Sequence, residues 1–277
     1  MSERPKLGEF VHIPKTAGTS VRSAIEQNVG GGNLFIYSPQ VDRFVPTSSN
    51  LVPQTSRMIE AVRRGIANPL LGPVLLKAYP VINSVNKYRI QRHYPDLQVP
   101  EEANVIFGHF KANQFENLTT RDTIRGVIIR NPLERMRSHY DHWKRNRGHA
   151  DWGIDVPYDR TISFKQFALL PQLQNYQTQA ISGIDIANFD VVGITDDTQE
   201  FIKTYLEKLG AAGLTQTDQI IIPQRRLNTS SAHGRTSTEV LDDEFVASFK
   251  DFHSQDYALY AQAKELYLAR ISQKDTE

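Results

Sequence analysis

The run His12-Ile13-Pro14-Lys15-Thr16-Ala17-Gly18-Thr19-Ser20 gathers the groups that an anion-binding loop requires. Backbone N–H groups converge on a phosphate when a tight turn opens a helix, a small residue allows close approach, and a cation balances what the helix dipole leaves over. Here Pro14 ends an apolar run, Lys15 is the cation, Gly18 permits approach, and Thr16, Thr19 and Ser20 place hydroxyls beside the N–H groups. The bland alternative is a capped turn with a solvated lysine. The loop lacks the order G-x-x-x-x-G-K-[ST], because its lysine precedes its glycine, which counts against an ATP-cleaving loop of that type.

Two other segments carry chemistry. Arg130 ends the apolar run Arg125 to Arg130, so it can point into the crevice at the carboxyl ends of strands, where its planar fork suits a phosphate. Ser138 follows two helical turns later; the alternative is a strand-end salt bridge and a surface serine. His109, in Phe107-Gly108-His109-Phe110, follows another apolar run, and an imidazole with an ordinary pKa near 6.5 suits general-base work at neutral pH. A strand-end histidine bonded to a backbone carbonyl is its alternative, and His12 competes for the role. His139, Asp141, His142 and His149 have metal-ligand types, but no fourth ligand is visible, and the expectation is no metal. The pairs Glu101-Glu102, Asp196-Asp197 and Asp242-Asp243 read as solvated or helix-start charges, with no catalytic role.

Positioning these groups requires alternating strands and helices. Gly8 to Ile13 reads as a strand and Thr19 to Asn28 as a helix. Gly30 to Pro53 reads as a long loop with one strand, Leu34 to Tyr37. Strands follow at Ala103 to Gly108, Arg125 to Arg130 and Phe189 to Ile194. Helices are expected at Pro132 to Lys144, Phe164 to Leu170, Leu173 to Ser182, Thr198 to Leu209 and Asp242 to Ile271. Asn131 as N-cap, Pro132 in the first helical position and Glu134 in the third mark one helix start sharply, the cap and the Glu each serving an orphan N–H. The alternation implies an α/β domain over 1–277, with a mostly parallel central sheet flanked by helices. Residues 51–98 interrupt it as a basic helical insertion, read as a cap on the core or as a lid over an anionic acceptor or membrane surface.

Composition fits one soluble domain. The 277 residues carry 32 Lys plus Arg against 31 Asp plus Glu, a balance that argues against a dedicated nucleic-acid binder. With no cysteine, thiolate zinc sites, iron–sulfur clusters and a Cys nucleophile are excluded. The first residues hold no signal-peptide core, and Pro69 to Ile82 falls short of the roughly 20 apolar residues that span a bilayer. A cytoplasmic location is the expectation.

The segment PKTAGTS after a short strand resembles the 5′-phosphosulfate loop of sulfotransferases that use 3′-phosphoadenosine 5′-phosphosulfate (PAPS), in the branch of heparan sulfate 2-O-sulfotransferases and bacterial relatives. Val127 to Ser138 is similar to that family's 3′-phosphate motif, and Phe107 to Phe110 to its His-bearing segment. Asn175 to Thr178 with Ser182-Gly183, Val192 to Thr195, and Arg226-Leu227-Asn228-Thr229-Ser230 resemble later landmarks. The 51–98 insertion is not covered, and Asp196 stands where relatives often carry Glu. The resemblance implies a P-loop-like core and metal-independent sulfuryl transfer from PAPS to a hydroxyl of a carbohydrate, lipid or other metabolite. It implies Lys15 and His109 as catalytic groups. Lys15, Thr16, Ala17, Gly18, Thr19, Ser20, Arg130 and Ser138 would bind the nucleotide, with Arg226, Asn228, Thr229 and Ser230 closing over it. Phe35, Tyr37, Arg43, Phe44, Tyr79, Tyr88 and Arg92 are candidates for the acceptor wall, and their types fit a core or a surface equally well. A magnesium-dependent phosphoryl transferase and a silent nucleotide-binding protein are the alternatives.

Overall fold

A computed structural model describes residues 6–39, 42–48, 84, 88, 92, 96–145, 161–216, 219–223 and 239–274. Strand β1 (Lys6–Val11) leads through a loop into α1 (Gly18–Val29), then β2 (Leu34–Ser38) and β3 (Arg43–Pro46). After the insertion come β4 (Val105–Gly108), β5 (Asp122–Ile129) and α2 (Pro132–Arg145). Two short helices follow, α3 (Phe164–Ala168) and α4 (Tyr176–Ala180), before β6 (Val191–Ile194) and α5 (Thr198–Ala211). Helices α6 (Asp243–Phe252) and α7 (Ser254–Lys274) complete the order.

The six strands form one sheet in the order β3-β2-β4-β1-β5-β6, parallel throughout except for β2 against β3. This is the expected α/β arrangement, and its register fixes the place of the site. Val11 lies opposite both Gly108 and Val127, so the chain leaves β1, β4 and β5 at one edge. The sheet is apolar on both faces because helices cover both. On one, Phe10, Val105 and Ile128 pack against Val21 and Ile25 of α1 and Phe201 and Tyr205 of α5. On the other, Val11, Ile106 and Val127 meet Leu259 and Ala263 of α7. A third cluster joins α2, α3 and α6 through Trp143, Phe167 and Phe249.

Three expectations need correction. The 30–53 stretch holds a hairpin: the adjacent, buried Phe44 and Val45 pair back on β2, and Asp42 ahead of them has φ 54. Phe35, Tyr37 and Phe44 are buried in the core with Phe110 and Phe115, so these three do not form an acceptor wall, and Arg43 pairs with Asp96 at 2.7 Å. The last helical segment is two helices that break at His253, whose ring is tied to Ala168 and Asn175. Ser84, Tyr88 and Arg92 are exposed, and the rest of the insertion through residue 95, Tyr79 included, lies outside the described residues. No described helix is long and apolar enough to cross a membrane.

Candidate anion-binding site

The loop after β1 takes its shape from two left-handed residues that are not glycine, Lys15 at φ 72 and Ala17 at φ 65. Each such residue costs on the order of 1–2 kcal/mol, and conformations of this kind concentrate where a loop must present its backbone. Thr16 between them turns inward. It is fully buried, its hydroxyl donates to the Ile13 carbonyl at 2.8 Å and its N–H to the same oxygen at 3.3 Å. The expected Thr16 hydroxyl is thus occupied within the loop. The N–H groups of Ala17, Gly18 and Thr19 make no hydrogen bond among the described residues, and they open α1 at the positive end of its dipole. Ser20 is already inside the helix, its N–H bonded to the Ala17 carbonyl at 2.9 Å.

Gly18 is required for a reason the sequence does not show. A Cβ there would fall 1.8 Å from Nε2 of His12, so the histidine ring occupies the space that a side chain would need. His12 also packs on Phe107 at 5.0 Å and stacks on His109 at 4.2 Å. Burial, then the charges of His109, Lys15 and Arg22, hold the His12 pKa well below its usual value, so His12 stays neutral.

Arg130 comes from the far side of β1 and meets the loop directly. Its Nη1 donates to the Lys15 carbonyl at 3.2 Å. The Glu134 carboxylate lies 3.6 Å from its Nε, which departs from the reciprocal cap expected of Glu134. The N-cap itself forms as expected, with Asn131 Oδ1 accepting from Leu133 and Glu134 N–H at 3.1 and 3.2 Å. Ser138 is half-buried two turns further along α2. Burial, and then the guanidinium groups of Arg145 and Arg130, push the Lys15 ammonium down to about 8 against the pull of Asp141.

His109 leaves the end of β4 toward the same edge. Its Nδ1 lies 2.6 Å from the His12 carbonyl, which accepts only, so Nδ1 carries the proton and Nε2 is the ring's acceptor. The bland expectation, a bond to a backbone carbonyl, is met at Nδ1.

Sequence reasoning missed the groups behind Arg130. Gln177, fully buried, accepts from Arg130 N–H at 3.0 Å and donates to its carbonyl at 2.9 Å. Asp256 of α7 then accepts from Gln177 N–H at 3.3 Å and from Thr178 N–H and hydroxyl, both at 2.8 Å. Asn175, left-handed at φ 48, accepts from Asp256 N–H and donates its own N–H to His253. The Asn175-Tyr176-Gln177-Thr178 landmark was the available signal, but it did not disclose what Gln177 touches.

Other expectations fall elsewhere. Arg226, Asn228, Thr229 and Ser230 lie outside the described residues, as does His149. His139 is buried edge-on to Phe167, and no group of three or more metal-ligating side chains occurs among the described residues. Asp197 and Asp242 cap α5 and α6, as helix-start charges do, and Asp196 accepts from the Tyr260 hydroxyl at 3.0 Å.

No protein-family model matches the chain, and no curated protein matches it.

Proposed function

We propose that this protein is a PAPS-dependent sulfotransferase with a P-loop-like core, acting in the cytoplasm on a hydroxyl of a carbohydrate or other metabolite. The observation that carries the reading is the Arg130–Lys15 latch: an unsatisfied N–H cradle with its own lysine, joined at 3.2 Å to an arginine from the other side of the central strand. A ligand with two separated anionic groups suits that arrangement, and the carboxyl edge of a parallel sheet is where nucleotides bind in open α/β folds.

In this reading the Ala17, Gly18 and Thr19 N–H groups and Ser20 hold the 5′-phosphosulfate. Arg130 and Ser138 hold the 3′-phosphate, and residues 226–230 close over the nucleotide. The acceptor oxygen attacks sulfur in line as the bond from sulfur to the bridging phosphate oxygen breaks. His109 Nε2 takes the acceptor proton, and Lys15 meets the charge that develops on the leaving oxygen. The products are a sulfate ester and 3′,5′-adenosine bisphosphate. Lys15 and the N–H groups supply the positive charge, so the proposal includes no metal.

Calorimetric titration with 3′,5′-adenosine bisphosphate, and separately with ATP and magnesium, tests it. Micromolar, metal-independent bisphosphate binding that is lost in Lys15→Ala and Arg130→Ala is the expected result. Preference for magnesium–ATP, or binding of neither, overturns it. His109→Gln should keep bisphosphate affinity while turnover on any identified acceptor falls at least about a hundredfold.

A further inference from the structure

Arg135 is one of the largest fully buried side chains of the protein, 1% exposed. Its Nε and Nη1 are shielded from solvent and have no hydrogen-bond partner among the described residues. The guanidinium lies over the Tyr176 ring at 5.3 Å. The carboxylate whose charge reaches it most strongly, Asp256, already accepts three hydrogen bonds from Gln177 and Thr178 and makes no ion pair with it. Position adds to the cost. Arg135 N–H bonds to the Asn131 carbonyl at 2.9 Å, so the residue belongs to the first turn of α2, where the helix dipole disfavours a cation. One turn on, His139 is held neutral by burial and then by the Arg135 charge.

An unpaired buried charge at the wrong end of a helix lowers stability, and a core side chain of similar volume would remove that cost. What the position gains is electrostatic. The charges of Arg135 and Arg130 act on one another, those of Arg135 and Lys15 both act on His139, and Glu134, more than half exposed, is a weak counter-ion to Arg130. We propose that Arg135 is a buried cation that serves the anion site, strengthening the hold on a phosphate dianion by its field from behind Arg130 without touching the ligand. The inference rests on the reading of the loop and Arg130 as an anion site.

The test is a comparison of Arg135→Met and Arg135→Lys with the unaltered protein by thermal melting and by titration with 3′,5′-adenosine bisphosphate and with inorganic pyrophosphate. Arg135→Met is expected to melt at or above the unaltered protein yet bind the anion about tenfold or more weakly, and Arg135→Lys to restore affinity to within about threefold. Opposite movement of stability and affinity is what a packing role would not produce. An Arg135→Met that melts lower, fails to fold, or binds unchanged overturns the inference. Pyrophosphate binding without bisphosphate binding, still weakened by Arg135→Met, removes the nucleotide reading and keeps this one; binding of neither anion overturns both.

Discussion

The side-chain amide of Gln177 pairs with the backbone of Arg130 at two points, as a neighbouring strand would. Arg130 lies just past β5, where the sheet no longer offers it a partner, and a buried backbone N–H and carbonyl must be satisfied from somewhere. The amide meets both needs and so fixes the direction in which the Arg130 side chain leaves the sheet.

Gln177→Leu should therefore cost about 2–4 kcal/mol in urea denaturation, since two buried polar groups lose their partner. Affinity for 3′,5′-adenosine bisphosphate should fall by roughly tenfold in the same variant, through loss of Arg130 placement. Gln177→Glu, which keeps the acceptor and loses the donor, should lie between. An unchanged affinity in a destabilised Gln177→Leu would confine the residue to folding.

Lys15 links binding to protons. Its pKa of about 8 in the free protein leaves it largely neutral at pH 8.5, and an anion beside it favours the charged form. Binding should then take up roughly half a proton or more at pH 8.5, less at pH 7.5, and this uptake should vanish in Lys15→Ala. Titrations in buffers of different ionisation enthalpy measure it directly.

Gly18→Ala should destabilise the protein by about 1–3 kcal/mol, because the added methyl meets the His12 ring. His12→Ala should relieve much of that cost when combined with it, giving a favourable coupling in a double-mutant cycle read by thermal or urea unfolding. Additive effects would show that the ring is not what excludes a side chain there.

Glu9 should make stability depend on pH. Burial raises its pKa from 4.5 to about 7 despite Arg125, whose Nε is 3.4 Å away and which also contacts Glu116. The folded state then binds more protons than the unfolded one between those values, so this contribution is full below pH 4.5 and is lost as pH rises through 7. Unfolding free energy should drop by roughly 1–3 kcal/mol from this group between pH 5 and pH 8. Glu9→Gln should flatten that slope.

Legibility in the sequence followed the range of the interactions. The Pro14 to Ser20 loop and the Asn131 cap could be read because their partners lie within a few residues. Five strands were located by apolar runs that the two-sided burial of a parallel sheet produces. Strand β3 was hidden in a polar stretch because its pattern is only four residues long. Gln177 and Asp256 were illegible as site residues, since what they do depends on contacts 47 and 79 positions away. Arg135 sits in a helix of polar sequence, yet it is buried, with its guanidinium over Tyr176 of α4. The packing of Gly18 against the His12 ring was equally illegible, since it depends on how the strand and the loop sit together.

The fastening of Gln177 by Asp256 has a consequence for how the protein is made. Synthesis delivers the Lys15 loop first, Arg130 much later, and the helix that carries Asp256 and His253 after nearly everything else in the sheet. A nascent chain short of residue 253 can zip β1 to β4 and β5, yet Gln177 still lacks the carboxylate that orients it. The placement of Arg130 by Gln177 is thus completed only after the strands of the sheet and the Lys15 loop have all been synthesised.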